Sequence, residues 1–586
     1  KFRRPVIVED GLGARGKARP VAERLSGAAS HRVREAALAG ETIQLTDGGT
    51  QAGYEICDYA INILPYQARP VTMYRSKFDA PVIDMGLLSR TSPRSHPLFP
   101  SLLPFLSVIA FVSLAIVFIF KVEDYASRTK TVAGHNLDPT PWHPFTPRNF
   151  DEESKYARIS KIIQCSYLTC PYRGSNGAGA SRRNTSRQSG KASEQCPEFF
   201  RWIHRDLEPW SHSKISATHL LGAQKFAAFR VVIVKGKLYV DYYYACVQSR
   251  AMFTIWGLSQ LLKRYPGLIP DVDLMFDCMD KPVISRTGHG SMPLPLFRYC
   301  TTPAHFDIPF PDWSFWGWPE VNIGAWDEEF LNIKKGAQTT SWDKKTPYAF
   351  WKGNPDVLSP VREALLKCND TRQWGTEILR QDWVKEAREG YEQSKLSNQC
   401  KHRFKIYAEG YAWSVSLKYI LSCGSLTLII NPKYEDFFSR GLIPQQNYWP
   451  ISLTNMCQSI KFAVDWGNTN PFKAEVMGRA GQGLMERVKM DRVYDYMYHL
   501  IVEYSKLLDF KPAPPPTAVE VCEHSLLCFA GRKEREFLDK SAASVSGSLP
   551  CMNHPADSEL INRWINQRRK IIKDVNELEM LQSIKL

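Results

Sequence analysis

The chain has 586 residues, 44% of them hydrophobic, with 16 Trp, 25 Tyr and 29 Phe. That is apolar material for about two to four globular domains. The formal net charge is +15, but the bases are scattered apart from short runs such as Arg568-Arg-Lys570. No stripe of Lys and Arg is interleaved with aromatics and no zinc-finger spacing occurs, which excludes nucleic acid as an expected partner. None of the 14 cysteines forms a C-x-x-C pair, so zinc ribbons and thioredoxin-like redox sites are excluded too.

Residues 1–84 show no sustained helical or strand period and are rich in Gly, Ala and Arg, and are read as disordered or as foreign to the native protein. Met85 is a natural start for a short cytosolic tail over 85–97. Ser95 to Phe120 then contains no Asp, Glu, Lys or Arg, and its core from Leu102 can just cross a bilayer. Arg90 and Arg94 precede it while Glu123 and Asp124 follow, so residues 98–120 are expected to be a signal anchor with the N-terminus cytosolic. A cleaved signal peptide is the competing reading, against which stand the length of the apolar run and the want of a clear cleavage site. The polar, Gly-rich run from Arg173 to Arg183 makes 121–195 a flexible lumenal stem. Thirteen cysteines lie beyond residue 160; if that part is lumenal, several disulfides and at least one unpaired thiol are expected. The sequons at Asn184 and Asn369 fall on the same side.

From Cys196 the composition turns globular. Phe229 to Val234 reads as a strand, Lys235-Gly-Lys237 as a turn, and Leu238 to Tyr244 as its hairpin partner. Gln248 to Tyr265 has a helical apolar pattern stopped by Pro266. Leu274 to Cys278 is the next strand, and Asp271-Val-Asp273 before it reads as a turn. This order suggests a parallel sheet with helices on its faces. Asp280 is left at the end of the strand, where open α/β sheets place their ligands and chemistry; the plain alternative is a turn before Lys281-Pro282. A carboxylate there can act as a general base.

Trp313, Trp316 and Trp318 follow in a Trp-rich segment that either lines an acceptor-sugar site or belongs to the core. Tyr348 to Trp351 reads as a strand, and Ser359 caps a helix with Pro360 at its first position, placing Arg362 in the first turn. Phe404 to Ala408 is a strand, Ala412 to Cys423 a helix, and Ser425 to Ile430 a strand. Two helix starts at one sheet edge make that edge an expected anion site, to which Arg362 adds a fork that suits a diphosphate. Lys511 to Pro516 breaks the pattern, closing a catalytic domain over 196–515. Ser558 to Leu586, in a C-terminal extension over 516–586, reads as an amphipathic helix that packs back on the domain or meets a partner.

These blocks carry a resemblance. Cys196 to His204, Asp273 to Pro282, Phe350 to Asn354, Ser359 to Arg362, Lys405 to Tyr407, Ala412 to Ser425 and Tyr434 to Phe438 stand in the order found in glycosyltransferase family 90. The chain resembles that family, which includes Rumi-type protein O-glucosyltransferases and capsule xylosyltransferases, and looks closest to its plant branch. The resemblance implies two Rossmann-like lobes of the GT-B type and transfer from a UDP-sugar with inversion, without a metal or other cofactor. It implies Asp280 as the base and Arg362, Gly353 and Asn354 as donor contacts. Animal members carry a second nucleotide-contacting Arg where Ser416 stands here, and Lys418 in the same helix is a possible substitute. The chain ends without a KDEL-type signal, so retention would rest on the anchor, favouring the Golgi over the endoplasmic reticulum. A carbohydrate-binding or scaffolding protein with a degenerate transferase fold is the alternative, motivated by that missing Arg. No Gly-x-Ser-x-Gly elbow or paired glycosidase carboxylates support a hydrolase.

Overall fold

The structure is a computed structural model that describes residues 43–47, 50–54, 170 and 194–585. The expected cytosolic tail, membrane anchor and Asn184 sequon lie outside the described residues, as does nearly all of the stem. Among the described residues, no helix is long and apolar enough to cross a membrane. Within 1–84, strands β1 (Ile43–Asp47) and β2 (Thr50–Tyr54) form an antiparallel hairpin that the sequence pattern did not signal.

Two α/β lobes make up residues 194–585. In the first, β3 (Phe229–Val234) turns back into β4 (Lys237–Tyr242) through Lys235 and Gly236, both in the left-handed region, with φ of 51° and 74°. Helix α1 (Arg250–Arg264) crosses to β5 (Val272–Phe276), and β6 (Phe297–Arg298) and β7 (Ile308–Pro309) follow. The parallel sheet expected here is instead mixed. β3 lies between β4 and β5 and is antiparallel to both, while β5, β6 and β7 run parallel. The α1 crossover does join two like-directed strands, but the hairpin slips β3 between them. The Asp271–Asp273 turn also needs correction. Strand β5 starts earlier than expected, so Asp273 is buried within it and ion-paired to Arg230, with Nε–Oδ1 2.8 Å.

Helix α2 (Trp326–Gln338) leads to the second lobe. Its sheet is β12-β11-β10-β8-β9, every pair parallel. The strands are β8 (Thr346–Gly353), β9 (Thr376–Arg380), β10 (His402–Tyr407), β11 (Leu426–Ile430) and β12 (Trp449–Ile451). Helix α3 (Pro360–Leu366) follows β8 and helix α4 (Ser416–Ser422) follows β10. The five residues of β11 are all buried, as a strand covered on both faces requires. Helices α5 (Met456–Thr469), α6 (Pro471–Glu486) and α7 (Met490–Ser505) follow the last strand, and α7 returns to the first lobe.

The chain beyond the Pro-rich run continues the same fold. Strand β13 (Val519–Val521) adds to the edge of the first-lobe sheet beside β4. Helix α8 (Ser558–Lys585) packs back, as one of its two expected readings had it. Its Ile561 is in the larger core and its Val575 in the core of the second lobe, and its Glu579 accepts from Ser459 Oγ at 2.8 Å.

Five disulfides lie among the described residues: Cys170–Cys522, Cys196–Cys551, Cys246–Cys278, Cys368–Cys457 and Cys400–Cys423. Cys528 is disulfide-bonded too, and Cys300 is a buried free thiol. Cys196, His499 and Cys551 gather metal-type donor atoms, but the two sulfurs are bonded to each other and His499 is engaged with the Cys551 carbonyl at 2.7 Å.

Candidate active site

The C-terminal ends of β5, β8 and β10 meet at a cleft between the lobes, with about 1310 Å³ of empty space including its open mouth. The sequence explains the placement, because each strand ends in a turn that stops pairing and turns polar groups toward that edge. Asp280, Trp313 and Trp318 line it from the first lobe; Gly353, Asn354, Arg362 and Ser416 line it from the second.

Asp280 sits four residues beyond β5 on a loop held from several sides. Cys278 is bonded to Cys246, and Asp277 is paired with the buried Arg298. Arg298 also donates to the Met279 carbonyl at 3.2 Å. The Asp280 side chain is 7% exposed, and its Oδ1 accepts from Arg250 Nη1 at 2.8 Å. No protein donor among the described residues holds Oδ2. Arg250, the first residue of α1, lies 4.3 Å from the Trp313 ring and also donates to the Cys278 carbonyl at 3.0 Å. The carboxylate is thereby fixed in direction with one oxygen open to the cleft. Sequence reasoning missed Arg250, whose only signal was its place at a helix start.

Arg362 is held as the local sequence dictates. Ser359 Oγ accepts from the Arg362 amide at 3.3 Å and donates to the Glu409 carbonyl at 2.8 Å, and Pro360 starts α3. The guanidinium turns back under the β10 end. It donates to the Asn354 carbonyl (2.7 Å), the Glu409 carbonyl (3.1 Å), the Ala408 carbonyl (3.3 Å) and Ser414 Oγ (3.2 Å). No carboxylate among the described residues forms an ion pair with it. Burial pushes its pKa down to about 10, while Tyr407 and Glu409 nearby act in the opposite direction. Such a group suits an anion supplied from outside.

The remaining expected residues divide. The Asn354 side chain accepts from the Asp356 amide at 2.9 Å and so shapes the turn, while its carbonyl orients Arg362. At Gly353 an added Cβ would come within 2.4 Å of the Trp351 ring, so only glycine fits there. Ser416 Oγ is 2.9 Å from Ser414 Oγ, which in turn accepts from Arg362. Helix α4 begins at Ser416 rather than at the expected Ala412, and α3 and α4 are each seven residues long. The helix-dipole contribution expected at this edge is accordingly small, because aligned peptide dipoles are few.

Lys418 and Trp316 are not in the cleft. Lys418 is buried and donates to Ser314 Oγ at 2.7 Å and pairs with Asp312 at 3.3 Å, which ties the second lobe to the first. Its position two residues along α4 turns it away from the face that Ser416 presents. Trp316 is fully buried, donating to Tyr494 OH at 2.9 Å and packing on Gly257 of α1. Of the tryptophan triplet, only Trp313 and Trp318 reach the cleft. Trp413 and Lys405 line it as well, and sequence reasoning gave neither a role.

Residues 191–579 match the family described as Glycosyl transferase family 90. Protein O-glucosyltransferase 1 of Bos taurus is 25% identical over 338 residues, which is 54% of this chain and 82% of that protein. The O-glucosyltransferase rumi homolog of Aedes aegypti is 24% identical, covering 45% of this chain and 69% of that protein. The Drosophila melanogaster O-glucosyltransferase rumi is 22% identical, covering 53% and 77%. Among solved structures, the pneumococcal O-GlcNAc transferase GtfA in complex with UDP and GlcNAc matches 47% of this chain and 65% of its own. That match has 10% identity and a TM-score of 0.23, too low to bear on the fold.

Proposed function

Because the chain belongs to glycosyl transferase family 90, we propose that it moves glucose or xylose from a UDP-sugar to a hydroxyl of a glycan or protein, with inversion and without a metal. The observation that carries this reading is the pairing, across one cleft, of a fixed carboxylate with an open oxygen and a half-buried guanidinium that forms no ion pair among the described residues. The acceptor oxygen attacks the anomeric carbon of the donor while Asp280 Oδ2 takes its proton. The bond from that carbon to the diphosphate oxygen breaks, and UDP leaves with the electron pair. Arg362 stabilises the charge that develops on the departing UDP. Trp313 and Trp318 offer ring faces to the acceptor sugar or side chain. The names of the Aedes, bovine and Drosophila relatives favour glucose as the sugar. The two lobes with the cleft between them are read as a GT-B-like arrangement.

The enzyme works in the Golgi lumen as a single-pass type II membrane protein, anchored through residues 98–120. The apolar run supports the anchor, and the disulfides suit an oxidising compartment.

The test is UDP release by the full chain across a panel of UDP-sugars with glycan and glycoprotein acceptors, Asp280→Asn alongside. Release with one donor that is lost in the variant is expected. Silence with every donor and acceptor would move the reading to a carbohydrate-binding protein, and substantial transfer by Asp280→Asn would remove Asp280 as the base.

A further inference from the structure

Four cations line the cleft: Arg250, Lys352, Arg362 and Lys405. Arg250 is paired with Asp280 at 2.8 Å, and Lys352 with Glu386 at 3.0 Å. The other two have no carboxylate partner among the described residues. Lys405 is the stranger of these, because it is only 2% exposed. Its Nζ makes a single hydrogen bond, to Gln399 Oε1 at 3.1 Å, out of the three it can donate. It lies 4.4 Å from the Phe350 ring centroid.

The charged neighbours do not neutralise it. From its own strand, His402 is bound to Glu377 at 2.9 Å and stacked on Phe350. From the start of β8, Lys345 adds a second buried ammonium that repels it. Burial, and then Lys345, push the Lys405 pKa down to about 7. A buried amine in that condition is costly unless a ligand completes it.

We infer that Lys405 supplies the second positive contact to the diphosphate of the nucleotide donor, beside the contact proposed for Arg362 in the same cleft. This rests on the UDP-sugar reading proposed above. Lys405 is three residues before Ala408, whose carbonyl receives Arg362, so about 10 Å of strand separates the two positions. Both side chains line the same cleft. Lys418 cannot supply that contact, because Asp312 and Ser314 hold it between the lobes.

The experiment compares UDP with uridine by calorimetry on the full chain and on Lys405→Met and Lys405→Gln, with near-UV circular dichroism as the fold control. Methionine keeps the length and removes the unpaired charge, so the variant is expected to fold. UDP affinity should fall at least about tenfold in both variants while uridine affinity stays unchanged, the loss of a charged hydrogen bond to phosphate. In turnover, the donor KM should rise more than kcat falls. An equal loss for UDP and uridine would place Lys405 on the nucleoside and overturn the inference. Unchanged UDP affinity would overturn it as well and leave the UDP-sugar reading standing. A wild-type chain that binds neither UDP nor a UDP-sugar would overturn that reading, and this inference with it.

Discussion

Asp280 divides its carboxylate, with Oδ1 on Arg250 and Oδ2 toward the cleft. The division makes asparagine and alanine unequal replacements. Asparagine keeps an oxygen for Arg250, so Asp280→Asn should lose transfer with its thermal midpoint near wild type. Alanine leaves a buried guanidinium without its partner, and Asp280→Ala should lose about 3–5 kcal/mol of stability by urea unfolding as well as activity. Lys405 carries the opposite trade. Its pKa is about 7 in the folded chain against the ordinary 10.5, so between those values the unfolded chain binds a proton that the folded one does not. Stability attributable to this residue therefore rises with pH across that window, and the penalty is complete below about pH 7. Lys405→Met should be more stable than wild type at pH 6, with the gain shrinking toward pH 10. A gain that does not change with pH would show that the ammonium is not the source. Function and stability thus pull this position in opposite directions, as an unpaired buried charge kept for a ligand would require.

At the scale of elements, the loop after β5 matters more than the strand. It is pinned by Cys246–Cys278 and by Arg298, and nothing in its own backbone pattern would fix it. Replacing both Cys246 and Cys278 with alanine should cost about 2–4 kcal/mol of stability. It should also lower kcat while UDP affinity, which the proposed donor contacts assign to the second lobe, stays within about twofold; a parallel loss of UDP affinity would mean that the lobes are not independent in this respect. The strand ends were legible because their punctuation is chemical: Lys235-Gly-Lys237, Ser359-Pro360 and Gly353 each stop or start an element for a steric reason. The start of β5 was not, because Asp273 is a polar residue whose burial depends on Arg230 across the sheet. Helix α4 was overrun at its start for a related reason. Ala412-Trp-Ser-Val415 has helix-compatible composition, but Ser414 bonds to Tyr407 and Arg362 instead of continuing the helix.

For the whole molecule, the two-lobed α/β plan was legible in the sequence, with Asp280 expected after a first-lobe strand and Arg362 at a second-lobe helix start. That two separate sheets turn these residues to one cleft was implied only by the family resemblance. Pairing order was not readable. The antiparallel insertion of β3 and the addition of β13 from beyond the proline run both depend on strands far apart in sequence. Facing was not readable either, since a short helix does not reveal that Ser416 looks into the cleft and Lys418 toward Asp312. The Cys196–Cys551 bond has a consequence of its own. It joins positions 355 residues apart, close to both limits of the folded body, and Cys170–Cys522 spans nearly the same stretch. Tension applied between residues 196 and 551 would cross through sulfur and bypass both sheets. A span able to extend by roughly 1,200 Å at about 3.3–3.6 Å per residue stays slack-free and out of the load path. Pulled at those two positions, the oxidised protein would behave as a short link whose two lobes carry no force until a reductant opens it.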